Sequence, residues 1–108
     1  MSVTNNVAST FTRLLFYEVG RDNMFDLISA NRDQSNNEVC HSHDFCDAPM
    51  VMDEAIAQVV PGLRGVALTD PKRERLEIDA WDIFYAWCKS QAADILPGTL
   101  DKLEDDGE

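Results

Sequence analysis

Residues 70–98 read DPKRERLEIDAWDIFYAWCKSQAADILPG, and this stretch decides the fold. Asp70 followed by Pro71 marks a helix start. The carboxylate caps backbone N–H groups, and proline at the first helical position gives up a bond that has no partner there. From Pro71 to Leu96 no residue breaks a helix, and Pro97-Gly98 supplies a stop. Trp81, Phe84, Tyr85, Cys88, Ala92, Ile95 and Leu96 share one face at helical spacing, while Ala80, Ile83 and Trp87 lie on a second face rotated away from it. A helix apolar on two sides is central to its own domain or shared with a partner chain. At about 1.5 Å per residue, a helix over 71–96 would run about 39 Å, longer than a domain of this size is wide. Its first turns, Lys72 to Arg75, are therefore expected to project, and a homodimer seam along it is one expectation.

Working outward, three shorter helices precede it. Val7, Phe11, Leu14 and Leu15 form a stripe at i, i+4, i+7 and i+8, with Asn5 or Asn6 as cap and Gly20 as the C-terminal residue. Phe11, Leu15, Tyr17 and Val19 also alternate as a strand would, in a segment rich in threonine and aromatics, so residues 10–19 admit both readings. Helix is the one carried forward. Asp22 is expected to cap a second helix over about Asn23 to Asn31, with Met24, Phe25, Leu27 and Ile28 inward, before a wholly polar loop at 31–38. Met52, Ala55, Ile56, Val59 and Val60 give a third helix, capped by Asp47, with Pro49 in its first turn and Pro61-Gly62 ending it. Leu63 to Leu68 is a connector. The pattern predicts an all-α fold, a bundle of about four helices around the long 71–96 helix. It forms one domain over 1–98, followed by an acidic disordered tail at 99–108.

With 108 residues, 44% of them hydrophobic, the chain can bury a core without a covalent or metal staple. Twenty acids against nine bases give a formal net charge of −11. Asp101, Glu104, Asp105, Asp106 and Glu108 against Lys102 leave −4 on the last eight residues and −7 on the rest. Such a surface repels nucleic-acid phosphates and anionic lipid heads, so neither direct nucleic-acid binding nor membrane binding is expected. Mimicry of nucleic acid toward a basic protein is the acidic alternative. Three cysteines, at 40, 46 and 88, are an odd number. Residues 1–10 lack a signal-like start, and no apolar run approaches the roughly 20 residues of a membrane span. Reduced thiols in the cytoplasm are the expectation.

Both histidines and two of the three cysteines fall in residues 40–47, Cys-His-Ser-His-Asp-Phe-Cys-Asp. Thiolate and imidazole are zinc's preferred ligands, and Cys40, His43 and Cys46 at three-residue spacing, completed by Asp47 or His41, could form a set of four. Structural sites usually draw ligand pairs from two separated knuckles, and here there is one. A second chemistry is thiol reactivity, since Cys46 precedes a helix start and lies near histidine. Asp44 and Asp47 oppose thiolate formation, and the pair is not C-x-x-C. The plainest reading is a helix entrance, with Ser42, Asp44 and Asp47 as capping groups and Phe45 and Cys46 packing inward. On that reading no cofactor is expected, zinc being the alternative.

The string Cys40-His41-Ser42-His43-Asp44-Phe45-Cys46-Asp47-Ala48, followed by Met50-Val51-Met52 and an acidic, alanine-bearing helix, resembles a motif in short bacterial proteins carried on plasmids, phages and integron gene cassettes. The likeness covers about 15–20 residues, and Pro49 stands where that motif has Asn. It implies an accessory protein of mobile DNA and supplies no catalytic residue.

Glu77, Asp79 and Asp82, with Asp53 and Glu54, could supply paired carboxylates, although acids at such spacing more often form the wet side of a helix. Trp81, Phe84, Tyr85 and Trp87 could wall a pocket for an apolar ligand, with core packing as their ordinary role. Gly62-Leu63-Arg64-Gly65 lacks the ending of a phosphate loop. The leading expectation is a non-enzymatic binding or interaction protein with a protein or small-molecule partner. The alternative is a small metal- or thiol-dependent enzyme or sensor built on Cys40 to Asp47.

Overall fold

Ser2 opens the first helix, α1 (Val3–Val19), its hydroxyl accepting from the Asn5 backbone N–H at 3.1 Å. The cap thus lies a turn earlier than Asn5 or Asn6. The structure, a computed structural model, describes residues 2–33, 48–67 and 69–106. Among these residues all regular structure is helical. In α1 the helical stripe prevails over the alternating pattern. Val7, Phe11 and Leu15 are buried, whereas Tyr17, which a strand would have turned to the same side, is exposed. Thr12, unfavourable in a helix by type, is accommodated by donating its hydroxyl to the Ala8 carbonyl at 2.9 Å.

Gly20 alone separates α1 from α2 (Arg21–Asp33). Its φ of 85° and ψ of 167° lie in a region that side-chain-bearing residues rarely adopt, and this lets the chain turn within one residue. The Gly20 N–H caps the Phe16 carbonyl, and its own carbonyl accepts from Met24. Asp22 therefore sits inside the first turn of α2 instead of capping it. Met24, Leu27 and Ile28 are fully buried, while Phe25 stays partly in solvent.

Helix α3 (Ala48–Val59) buries Met52, Ala55 and Ile56 and passes into a single 3-10 turn at Pro61–Leu63. Asp47, the expected cap of α3, lies outside the described residues. Helix α4 (Pro71–Lys89) starts as its sequence requires, with Asp70 accepting from the Lys72 and Arg73 N–H groups at 3.0 and 3.3 Å.

Here the structure corrects two expectations. The long helix ends at Lys89, and Leu96–Asp106, most of it expected to be a disordered tail, is a further helix, α5. The bundle has five α-helices among the described residues, not about four. Ser90 ends α4 by turning its hydroxyl onto the Trp87 carbonyl at 2.6 Å and its N–H onto the last carbonyls of the helix. Gln91 is buried, and its amide bridges the Ser90 hydroxyl and the Thr99 hydroxyl, so the turn is tied to α5. Pro97 occupies the first turn of α5, where its missing N–H costs nothing. The gain that drives the chain back is burial of Leu96 and Leu100, with Leu103 half-buried on the same stripe.

The helices share one core. α1 packs against α3 and α4, α2 against α4, and α5 against α2 and α1. Phe11 is the central ring, edge-on to Trp81 at 4.9 Å and to Phe84 at 5.0 Å, while Trp81 stacks on Tyr85 at 5.6 Å. Arg21 fixes α5 to α2 through Asp101 and Glu104, each at 2.8 Å, and the Pro97 carbonyl at 3.3 Å. Those hydrogen bonds, to Glu104 first and then Asp101, hold the guanidinium above its ordinary pKa. The acidic C-terminal segment thereby gains a cation on the body of the protein.

Candidate binding groove between helices α1 and α4

The second apolar face of α4 resolves into two environments. Ala80 is fully buried, but Ile83 and Trp87 are only partly covered. They form, with Phe84, one wall of a groove of about 710 Å³. The opposite wall is α1, where Asn6, Ser9, Thr10 and Arg13 recur at i, i+3, i+4 and i+7 and so stand on one stripe. Ala8 and Thr12 of α1, Val59 from the end of α3 and Leu103 from α5 complete the lining. An apolar wall thus faces a polar one, in a volume typical of small-ligand sites. From Asn6 to Arg13 the helix advances about 10 Å, which sets the length of the groove along α1.

Of the four aromatics singled out as a pocket, Phe84 and Trp87 line the groove, whereas Trp81 and Tyr85 are packed in the core ring cluster. Phe84 belongs to both, its ring 6.0 Å from Trp87 and 5.0 Å from Phe11. The α1 stripe was not anticipated. Its residues are those an amphipathic reading assigns to solvent, and only the docking of α4 and α5 makes them a wall.

Four of the five acidic residues proposed as paired carboxylates are engaged with arginines. Arg73, expected to project from the start of α4, is instead buried between Asp53 of α3 and Glu77, the latter at 2.7 Å. Asp79 meets Arg75 at 3.2 Å and Glu54 meets Arg64 at 3.4 Å, while Asp82 is exposed. Hydrogen bonds from Arg64, and next from Gln58, hold the Glu54 carboxyl below the ordinary glutamate pKa. The Arg73 pairs staple α3 to α4 beside a smaller cleft of about 370 Å³ that Met50, Asp53, Leu63 and Val66 help to line. A charge this buried is retained because two carboxylates satisfy its donors.

Cys40, His41, His43, Cys46 and Asp47, the proposed metal set, lie outside the described residues, as does the rest of that segment to residue 34. Cys88, on the core face of α4, is buried. Among the described residues no helix is long and apolar enough to cross a membrane. No family model matches this chain, and neither a curated protein nor a solved structure is detectably similar to it.

Proposed function

We propose that this protein is a non-enzymatic binding protein that holds an apolar group of a partner in the α1–α4 groove. The observation that carries the reading is the position of Ile83 and Trp87: two large apolar side chains on the central helix, left half-covered against a polar-walled hollow. Leaving such a wall in water forgoes burial worth about 25 cal/mol per Å², and an occupant recovers it. A second copy of the chain along α4 is the less favourable occupant, because two molecules of net charge −11 repel each other on approach. The setting, an accessory protein of mobile DNA, rests on the likeness of residues 40–52 alone.

Titration with N-phenyl-1-naphthylamine, a neutral probe that fluoresces in apolar sites, tests the reading. One saturable site is expected, lost in Ile83→Arg and kept in Ile78→Arg, whose parent side chain is exposed on α4 and does not line the groove. No saturable binding, or equal binding to both variants, would refute it.

A further inference from the structure

We infer that the ligand of this groove is a small amphipathic anion, an aromatic or short aliphatic body carrying a carboxylate, with its charged head on Arg13. The inference rests on the groove being the binding site and adds the class of molecule it takes.

The argument starts from where the arginines go. In a chain with twenty carboxylates, Arg21, Arg64, Arg73 and Arg75 each meet at least one acid. Arg32 donates to the Gln91 carbonyl at 3.0 Å. Arg13 differs: its hydrogen bond among the described residues is one long contact, 3.5 Å, to the Thr10 hydroxyl. Helix α1 has no acid before Glu18, and Glu18, five residues on, is not on the Arg13 stripe. Among the described residues no carboxylate is paired with Arg13, and Arg13 lines the groove. Its planar fork matches a carboxylate in two parallel bonds, a geometry that a lysine there would not offer.

Size and charge narrow the class further. The groove advances about 10 Å along α1, just under two helical turns, and the charged group it offers an occupant is the Arg13 guanidinium. A two-ring molecule bearing a carboxylate spans that length. With the head at Arg13 and Thr10, the body lies along Trp87, Phe84 and Ile83, whose rings and branched chain offer flat apolar contact. The net charge of −11 repels anions at long range, but at physiological ionic strength charges beyond about 8 Å are largely screened, while a direct guanidinium–carboxylate contact is not. The same net charge disfavours adventitious anion binding elsewhere on the surface, which makes a positive result specific.

Calorimetry with naphthalene-2-carboxylate and its neutral amide, two probes of one shape, provides the test. Wild-type protein is expected to bind the acid about fivefold more tightly than the amide, in keeping with a solvent-accessible ion pair. Arg13→Gln should abolish that preference, the acid losing more affinity than the amide, and Arg75→Gln, away from the groove, should preserve it. Equal binding of acid and amide, or a preference that survives in Arg13→Gln, overturns the anion assignment and leaves the groove reading standing. Binding of neither probe overturns both.

Discussion

Substituting Leu100 by alanine tests whether the acidic C-terminal segment is structural. Leu100 is 1% exposed and Leu96 fully buried, on a helix whose other side chains are mostly charged. Burial of a leucine stabilises by about 1.5–3 kcal/mol, and truncation to alanine in a core costs about 2–5 kcal/mol once the void is included. α5 lies at the edge of the bundle, and Leu103 on the same stripe is half-covered, so the site can partly close and the cost falls near 3 kcal/mol. In a domain stable by roughly 5–15 kcal/mol this is a large fraction. The thermal midpoint should drop by roughly 10–20 °C, and the urea midpoint should fall with an unchanged slope. Lys102→Ala, exposed on the same helix, should change stability by no more than about 0.5 kcal/mol. Equal midpoints for wild type, Leu100→Ala and a chain cut after residue 95 would refute the reasoning, since a tail outside the core has nothing to lose.

The remaining predictions follow from single contacts. Arg73→Ala leaves Asp53 and Glu77 facing each other without their cation and should cost about 2–3 kcal/mol, below the value for wholly buried pairs because both acids are partly wet; a double-mutant cycle with Asp53→Asn would show additivity, against expectation, if the staple were idle. Gly20→Ala meets no steric obstacle yet must hold a φ of 85°, so a loss of about 1–3 kcal/mol in chemical denaturation is expected, with Gly62→Ala near neutral as the comparison. Because Glu54 titrates below its ordinary value, its pairing stabilises fully above the unfolded-state pKa and fades as pH falls through the lowered folded one. In Arg64→Ala, NMR titration should place the Glu54 carboxyl closer to the ordinary value. For Cys40 to Asp47, the helix-entrance reading expects far less than one zinc per chain by elemental analysis and an unchanged midpoint in Cys40→Ser; stoichiometric zinc lost on that substitution would move the segment to the metal reading.

The parts of the fold legible in the sequence are those set by local chemistry. Asp70-Pro71 starts α4 because a carboxylate and a missing N–H act within one turn. The stripes Val7–Phe11–Leu15 and Met52–Ala55–Ile56 point inward because helical spacing leaves them one face to bury. The misreadings share a cause. Pro97-Gly98 is consistent with the end of one helix and with the first turn of the next, and nothing nearby decides between them. The choice is made by Ser90 and Gln91 bonding to Trp87 and Thr99, and by Leu96, Leu100 and Leu103, a stripe at i, i+4 and i+7 that was readable but masked by the acids around it. Arg73 was assigned to solvent because its partner Asp53 is twenty residues away. The groove was half legible: the second apolar face of α4 announced Ile83 and Trp87, but the polar stripe opposite them becomes a wall only through tertiary packing.

That construction ties the groove to the stability of the bundle. Four helices contribute to its lining, α1, α3, α4 and α5, and Phe84 is at once a groove residue and a neighbour of the central ring of Phe11. An occupant therefore contacts elements that part company when the core opens. A ligand that binds only the assembled form stabilises it, by about 2.7 kcal/mol at a hundredfold excess over Kd. The coupling is reciprocal, since whatever loosens α5 weakens the ligand by the same free energy. Leu100 does not line the groove, yet its truncation frees the helix that carries Leu103 and should lower affinity for an apolar probe. Were probe affinity indifferent to Leu100→Ala while the protein lost stability, the wall formed by α5 would be incidental, and the site would have to be built from α1 and α4 alone.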